Sequence, residues 1–440
     1  QPLRSTIGEQ HMKIGRTEMD ALTAVEREGA LATLAPQLSC TVQDERLGTL
    51  GYVVIDRFVG ATAIGGIRHA PGLTLAEVSA LARAMTLKCS FLRLHMGGAK
   101  AGLIAPDAGE SKQERTKRLA AFGRGIAPLI RHGSYSPGED LGISTTDLNV
   151  IRQAAGLASV APTCDGGYFT ARTAFVTLQA ALQQQKRPLA GSTVAIEGYG
   201  RVGSALATLL AQAGARIVAL STKAGAIYNP AGLDLDRLSA LRQTAGDECV
   251  LAYREAEQLT LAELLLLAVD IVVPCARPWS IHAANAAAIQ AAIVLPAGNI
   301  ALTPAAQQRL HERGIRCLPD FVASSGAVLA GVLHSRGFQP DEITRIIDQD
   351  FRRRVETLLD QAGNEARSPV EVAQTIAWRN FRTVQQEERD QQAGMLAKLR
   401  HTSPRRLVER VAAQLYRRPL FHVMPLQRVA LARTRGELGV

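Results

Sequence analysis

Two lysines that stand twelve residues apart are the residues best suited to do chemistry in this chain. Lys88 and Lys100 both lie in the stretch MTLKCSFLRLHMGGAKAG, and glycines frame the second one. In a dry, positively charged cleft, desolvation and a like charge both disfavour the ammonium form of a lysine. Such a lysine can act as a general base near neutral pH. The pair therefore predicts that one lysine grips a carboxylate while the other takes a proton.

Each candidate also has an ordinary interpretation. Lys88 could be a lysine that extends into solvent from a helix end, and Lys100 could belong to a surface loop. Asp140, in the loop SPGEDLG, could pass protons to a reacting amine or could simply be a turn residue. The chemical interpretation is favoured because the three residues occur together.

Helical spacing predicts where Lys88 points. Thr74 and Glu77 have the spacing of a capping box, so a helix is predicted to begin there. The apolar residues that follow recur at helical spacing and predict one buried stripe, formed by Leu75, Val78, Leu81, Ala82 and Met85. Lys88 follows Leu81 by two helical turns, an offset of about 20°. It is therefore predicted to lie on the buried face.

A second glycine motif predicts a dinucleotide site. A β-rich stretch over 192–197 is followed by GYGRVG, by a helical apolar face, and by a second strand-like run over 216–221. The motif glycines are Gly198, Gly200 and Gly203. Strand, glycine loop, helix and strand is the context in which such glycines let a pyrophosphate approach a helix N-terminus.

The end of the second predicted strand bears on which dinucleotide binds. Ser221, Thr222 and Lys223 stand where an acid would bind the ribose 2′-hydroxyl of NAD. A lysine there favours the 2′-phosphate of NADP, while a merely solvated Lys223 is the alternative. NAD and NADP both stay open, with the preference given to NADP.

In their order along the chain, these motifs resemble the glutamate/leucine/phenylalanine/valine dehydrogenase family, the amino-acid dehydrogenases. The resemblance extends from about Gly51 to about Ser335 and includes IYNPAGLD over 227–234, PCA over 274–276 and the pair Pro319-Asp320. It implies an α/β, two-domain amino-acid dehydrogenase fold. A mixed α/β substrate domain would precede a Rossmann dinucleotide-binding domain, and C-terminal helices would pack back on the first domain.

The resemblance also implies roles for the candidate residues. Lys88 would bind the substrate α-carboxylate, Lys100 would be the catalytic base, and Asp140 would be its proton-transfer partner. Further substrate contacts are implied at Ile64, Gly65, Gly66, Met85 and Gly331. Cofactor contacts are implied at Gly198, Gly200, Arg201, Val202, Gly203, Thr170, Ser221, Thr222, Lys223, Ala276 and Asn299. The implied reaction is NAD(P)-dependent reversible oxidative deamination of an L-amino acid to a 2-oxo acid and ammonia.

The substrate side chain can be predicted in part. Glutamate-specific members resemble KGG[LVI]R where this chain has IGGIR, so Ile64 replaces a lysine that would hold the side-chain carboxylate. Gly331 stands where those members have a serine. A buried carboxylate without its cation is costly, so an apolar side chain such as leucine, valine or phenylalanine is predicted. Glutamate is the alternative, because the other letters of 65–71 resemble the glutamate branch.

Three segments depart from the family pattern at the end expected to face the nicotinamide. ATGxG appears as FTART over 169–173, EGAN as PAGN over 296–299, and NAGG as SSGA over 324–327. These departures favour a second hypothesis, a non-catalytic dinucleotide-binding paralogue. The retained lysines and aspartate argue against it, and an enzyme for an unusual amino acid is a third possibility.

The layout implied by the family has four parts. Residues 1–165 would form the substrate-binding and oligomerisation domain, 166–335 the Rossmann domain, 336–395 the returning helices, and 396–440 a basic tail. Between residues 400 and 440 the chain has nine Arg and two Glu, a net charge of 9 − 2 = +7. An oligomer arm or a loose tail is preferred over nucleic-acid binding, because aromatic residues are few there. A homo-oligomer is expected.

Composition argues against a secreted protein, a membrane protein and a metalloprotein. The polar N-terminus has no apolar segment typical of a signal peptide, and charges interrupt the apolar runs before they reach the length of a membrane span. The six cysteines are scattered and the histidines have no metal-binding spacing. We therefore expect a cytoplasmic protein with reduced thiols, no metal site and no membrane partner.

Overall fold

The structure, a computed structural model, describes residues 35–107, 109–162 and 164–400. The stretch 1–34 and most of the predicted basic tail lie outside the described residues. Within the described chain, contacts separate two compact units, named here after their sheets. The five-stranded unit contains Pro36–Leu73, Met85–Val160 and the chain from residue 375 onward; the seven-stranded unit contains Thr74–Ala84 and Ala161–Gln374. The domain limits given above stay predictions.

The five-stranded unit is built on a mixed sheet. Its strands are β1 Leu38–Asp44, β2 Thr49–Arg57, β3 Ala63–Ala70, β4 Gly97–Ile104 and β5 Tyr135–Glu139. They are ordered β1-β2-β4-β3-β5. β1 and β4 pair antiparallel with β2, whereas β3 pairs parallel with both β4 and β5. Strands β4, β3 and β5 are therefore neighbours, although 30 residues separate β4 from β5 in the chain.

Three helices contribute to this unit: α2 Lys112–Arg131, α3 Thr145–Ala154 and, from Met85 onward, α1 Leu75–Phe91. The predicted start of α1 is confirmed, because the backbone N–H of Glu77 donates to Thr74 Oγ1 over 3.2 Å. A capping box formed by Ser111 and Glu114 begins α2. The side chains of α2 that recur at helical spacing, Phe122 and Ile126 among them, are buried in the core of the sheet.

The seven-stranded unit has the parallel sheet expected of a dinucleotide-binding fold. Its strands are β6 Thr193–Glu197, β7 Arg216–Thr222, β8 Gly225–Tyr228, β9 Glu257–Leu259, β10 Ile271–Pro274, β11 Ile293–Val294 and β12 Arg316–Cys317. They are ordered β12-β11-β10-β6-β7-β8-β9. The run from β12 to β7 is parallel, and β8 and β9 add an antiparallel edge. Parallel strands buried on both faces read as apolar runs, as VAI and IVV do here.

The helices of the second half complete this architecture. They are α4 Gly166–Gln184, α5 Arg201–Gln212, α6 Leu235–Ala245, α7 Cys249–Ala252, α8 Leu261–Leu266, α9 Ala283–Ala286, α10 Pro304–Glu312, α11 Asp320–Ala323, α12 Gly326–His334, α13 Pro340–Ile346, α14 Arg352–Asn364 and α15 Pro369–Arg400. The predicted order of strand, glycine loop, helix and strand is confirmed as β6, α5 and β7.

From residue 375 onward, helix α15 belongs to the five-stranded unit. There Phe381 and Val384 pack with Val59 in a small apolar cluster. His95 is buried and has Glu388 2.9 Å from Nδ1 and Glu387 3.2 Å from Nε2. Apolar packing and polar contacts together hold this last part of the chain to the five-stranded unit. Helices α13 and α14, which were also predicted to return, belong instead to the seven-stranded unit. Among the described residues, no helix is both long and apolar enough to cross a membrane.

Candidate active site

Lys100 and Asp140 meet in the five-stranded unit. Lys100 lies in β4, where only 3% of it is exposed, and Asp140 directly follows β5. The Nζ atom of Lys100 is 3.0 Å from Oδ2 of Asp140. The sequence predicted a like charge beside Lys100, whereas this neighbour is a carboxylate. Two candidates that are 40 residues apart in the chain are therefore within proton-transfer distance.

Arg68 is a third member of this cluster, and sequence reasoning missed it. It lies on β3, between the strand of Lys100 and the strand that leads to Asp140. Its Nε donates to the same Oδ2 atom of Asp140 over 2.9 Å. The signal that could have indicated it was the motif GGIR, in which Arg68 was considered only as a mark of the family branch. One oxygen of a half-buried carboxylate is thus shared by two cations.

The two cations set the charge state of Asp140. Burial by itself raises the pKa of this carboxyl, but Lys100 and Arg68 outweigh burial and hold the pKa well below its usual range. The Asp140 charge has the opposite effect on Tyr135. Burial, and then the negative charge of Asp140, raise the pKa of that phenol well above its ordinary value. The Tyr135 hydroxyl therefore stays protonated, and it donates to the Gly65 carbonyl over 2.8 Å.

Gly65 and Gly66 make room for the two strands that carry these side chains. A Cβ on Gly65 would lie 1.7 Å from the carbonyl oxygen of Ala99, beside Lys100. A Cβ on Gly66 would lie 2.5 Å from the carbonyl oxygen of Glu139, beside Asp140. No other residue fits at either position, because real Cβ atoms do not approach oxygen so closely. These glycines set the spacing of the candidate catalytic residues, whatever contact they make with a substrate.

The remaining substrate candidates of this unit lie around the same sheet. Lys88 is 4% exposed and Met85 9%, which confirms that this face of α1 is buried. A Cβ on Gly98 would lie 2.0 Å from the backbone nitrogen of Thr86, so α1 packs directly on β4. This contact joins the segment of Lys88 to that of Lys100. Ile64 is half-buried on β3 opposite Gly98.

The glycine loop of the seven-stranded unit fits a dinucleotide phosphate. Gly198 has φ +100°, a conformation that favours glycine. A Cβ on Gly203 would lie 1.9 Å from the Gly198 carbonyl oxygen, so this glycine lets α5 pack on the loop. Gly200 caps α5 without any side-chain hydrogen bond, and a Cβ there would meet nothing within 4 Å. The start of α5 therefore has free space beside Gly200, as a pyrophosphate that approaches a helix N-terminus requires.

Other cofactor candidates surround this loop. The Cβ of Ala276 packs against Gly198, Arg201 is exposed, and Val202 and Asn299 are half-buried. Beneath the loop, Glu197 is 1% exposed and accepts from Nε of Arg277 over 3.1 Å. The sequence did not indicate this pair.

The departures near the nicotinamide end have structural roles. Ala171, in place of the first glycine, is fully buried, and the next residue, Arg172, pairs with Asp348 through Nε over 2.7 Å. Thr173, in place of the second glycine, is fully buried and donates to the Ala323 carbonyl over 2.7 Å. Thr170 accepts from the backbone N–H of Ala327 over 3.2 Å. These side chains hold α4 to its neighbouring helices.

The last two candidates, for substrate and cofactor contacts, also lie in the seven-stranded unit. Gly331 is half-buried on α12, and a Cβ there would meet nothing within 4 Å. At the end of β7, Lys223 is exposed and its Nζ is 3.0 Å from Oδ2 of Asp247. The sequence did not place an acid at this strand end. Among the described residues, no group of three or more His, Cys, Asp or Glu side chains is arranged to hold a metal ion.

Two family models match this chain. Residues 38–156 match the Glu/Leu/Phe/Val dehydrogenase dimerisation domain, and residues 166–391 match Glutamate/Leucine/Phenylalanine/Valine dehydrogenase. Lys88, Lys100 and Asp140 lie in the first matched region, and the glycine loop lies in the second.

Curated relatives cover most of the same region. Glutamate dehydrogenase of Thermotoga maritima is 34% identical over 293 residues, which are 63% of this chain and 70% of that protein. NADP-specific glutamate dehydrogenase A1 of Halobacterium salinarum is 33% identical over 60% of this chain and 66% of its own length. NAD-specific glutamate dehydrogenase of Staphylococcus aureus is 31% identical over 69% and 76%.

A solved structure supports the fold. The hetero-hexameric glutamate dehydrogenase of Thermus thermophilus superposes with a TM-score of 0.70 at 24% identity, over 92% of this chain and all of that one. The likeness in fold therefore extends across both units.

Proposed function

This chain belongs to the glutamate/leucine/phenylalanine/valine dehydrogenase family, and on that premise we propose that it catalyses the NAD(P)-dependent, reversible oxidative deamination of an L-amino acid. The products are a 2-oxo acid and ammonia. The observation that carries the proposal is the buried contact of Lys100 with Asp140, 3.0 Å apart. Amine release requires a base for the attacking water and a proton for the departing amine, and two ionisable groups in contact can supply both.

Each residue of the five-stranded unit has a proposed task. Lys88, buried on α1, binds the substrate carboxylate as an ammonium, and its burial strengthens the attraction. Lys100 accepts a proton from the water that attacks the substrate iminium. That proton then passes through Asp140, 3.0 Å away, to the departing amine as the carbon–nitrogen bond breaks. Arg68 orients Asp140 throughout.

The seven-stranded unit has the task of holding the cofactor, which when bound takes the hydride that leaves the substrate α-carbon. The N–H groups at the start of α5 bind its pyrophosphate, and Gly198, Gly200 and Gly203 let it approach. Ala276 and Thr170, the further proposed cofactor contacts, belong to the same unit. The proposed cofactor is NAD or NADP, since relatives of both specificities are similar to this chain.

For the amino acid itself, glutamate has better support than the apolar side chain predicted from Ile64. The similar curated proteins are named glutamate dehydrogenases. Ile64 supports the second candidate, because no charge at this position can hold a side-chain carboxylate. We therefore propose glutamate as the first substrate, with leucine, valine and phenylalanine as its competitors.

The test is the absorbance of reduced nicotinamide with a panel of L-amino acids and both cofactors, for the wild-type chain and Ile64→Lys. If glutamate is the substrate, the wild type oxidises it in preference to leucine. An enzyme specific for apolar amino acids would instead oxidise leucine, and Ile64→Lys would shift its substrate preference toward glutamate. No turnover of any amino acid, together with retained dinucleotide binding, would replace the proposal with a non-catalytic paralogue.

We also propose that the chain acts as a homo-oligomer. The match to a dimerisation domain over residues 38–156 supports this assembly. The predicted cytoplasmic location stays a prediction.

A further inference from the structure

The end of β7 is joined to a turn that follows 24 residues later in the chain. Asp247 lies in a short 3-10 turn, Gly246–Glu248, after helix α6. Its Oδ2 is 3.0 Å from Nζ of Lys223. Its backbone carbonyl accepts a hydrogen bond from Oγ1 of Thr222. One contact therefore holds the Asp247 backbone and the other its carboxylate at the end of the second strand of the dinucleotide fold.

The same strand end is tied to the glycine loop. The backbone N–H of Tyr199 donates to the Ser221 carbonyl over 2.6 Å, and that of Gly198 donates to Ser221 Oγ over 3.0 Å. In dinucleotide folds with this arrangement, the group at the end of the second strand contacts the 2′ position of the adenosine ribose. The carboxylate of Asp247 is thus placed where the sequence itself provides no acid.

We infer that Asp247 selects the cofactor at the ribose 2′ position and makes this chain prefer NAD over NADP, an inference that rests on the proposed function. Its carboxylate is an acceptor for the ribose 2′-hydroxyl and repels a 2′-phosphate. The preference for NADP that Lys223 suggested in the sequence is weakened, because the lysine charge is opposed by Asp247 at 3.0 Å.

One other cation lies near this strand end and bears on the inference. The guanidinium of Arg242 on α6 stacks over the ring of Tyr199, with 5.3 Å to the ring centroid. It would attract a 2′-phosphate if Asp247 lost its charge. Removal of the Asp247 charge should therefore not only abolish the preference for NAD. It should also leave Lys223 and Arg242 to favour NADP.

The experiment measures binding of NADH and NADPH to the purified full chain, by nucleotide fluorescence, without any amino-acid substrate. The wild type should bind NADH more tightly. Asp247→Asn should shift the affinity ratio toward NADPH by on the order of tenfold, the size expected for losing one charged hydrogen bond. Lys223→Gln should shift the ratio in the opposite direction, because it leaves the carboxylate unopposed.

The matched control is Glu248→Gln, which removes an exposed carboxylate from the next residue of the same turn. A shift of equal size in Glu248→Gln would attribute the effect to general charge and overturn the role of Asp247. Tighter binding of NADPH by the wild type, or an unchanged ratio in both Asp247→Asn and Lys223→Gln, would also overturn it while leaving the dehydrogenase proposal intact. Binding of neither nucleotide would overturn the proposed function and this inference with it.

Discussion

At the Asp140 carboxylate, charges from three adjacent strands converge. Lys100 and Arg68 both contact Oδ2, at 3.0 and 2.9 Å. In the proposed reaction, Asp140 exchanges a proton with Lys100. Arg68 orients this carboxylate and favours its negative charge.

Lys100 and Asp140 are expected to contribute to the chemical step. Lys100→Met and Asp140→Asn should each lower kcat by roughly 10²- to 10⁴-fold, the range typical of positioned acid–base groups. Steady-state kinetics would measure kcat with the amino acid that the substrate panel identifies. Lys117→Met, at an exposed position of α2, is the control and should leave kcat unchanged. A loss below tenfold in Asp140→Asn would contradict its role.

Arg68 is expected to control how the chain responds to acid. The pKa of Asp140 in the folded chain is depressed below its ordinary value, so the stability that this carboxylate contributes is present above about pH 4 and is lost as pH falls. Arg68→Met removes one of the two cations and raises that folded pKa. The variant should therefore begin to unfold at a higher pH than the wild type, as followed by circular dichroism. Arg124→Met, at an exposed position, should follow the wild-type curve.

At the scale of the elements, close backbone contacts place the chemistry. β3 lies between β4 and β5, and glycines let it approach both. On the other sheet, glycines let α5 approach β6. At each of these glycines, a side chain is expected to clash with the neighbouring backbone, and this can be tested without any ligand.

Alanine at Gly65 or Gly66 should separate the strands that carry Lys100 and Asp140. The added Cβ would lie 1.7 Å or 2.5 Å from a backbone oxygen, and overpacking costs at least about 1–3 kcal/mol. Urea unfolding should show a loss of stability of that size, accompanied by lost activity. Gly138→Ala on β5 is the matched control, because its Cβ would meet nothing within 4 Å. Equal stability of all three variants would refute the packing argument.

Alanine substitutions in the glycine loop should separate folding from cofactor binding. Gly203→Ala should destabilise the chain, since its Cβ would lie 1.9 Å from the Gly198 carbonyl oxygen. Gly200→Ala meets no protein atom within 4 Å, so its stability should equal that of the wild type while NADH binding weakens. Thermal unfolding and nucleotide fluorescence would measure the two effects. Unweakened binding by Gly200→Ala would exclude this loop as the phosphate site.

At the scale of the whole molecule, the prediction concerns how many chains assemble. The chain of 440 residues has a mass of 47.0 kDa, and the proposed homo-oligomer should give a multiple of this mass in light scattering. Deletion of 401–440 should lower that multiple if the basic tail, which lies outside the described residues, is the predicted oligomer arm. An unchanged mass would dismiss the arm, and DNA retention lost on deletion would support the nucleic-acid alternative instead.

The sequence by itself determined the features that are local in the chain. The glycine loop, the buried face of Lys88 and the order of strand, helix and strand follow from spacing alone, because a helix or a tight turn is fixed by residues close in sequence. It also indicated Lys100 and Asp140, through their motifs. Only the tertiary structure decided that Arg68 shares the carboxylate of Asp140, that Gly65 and Gly66 set the strand spacing, and that Asp247 lies beside Lys223. These contacts join residues 24 to 73 positions apart. Those of the five-stranded sheet exist because the order of strands in the sheet differs from their order in the chain.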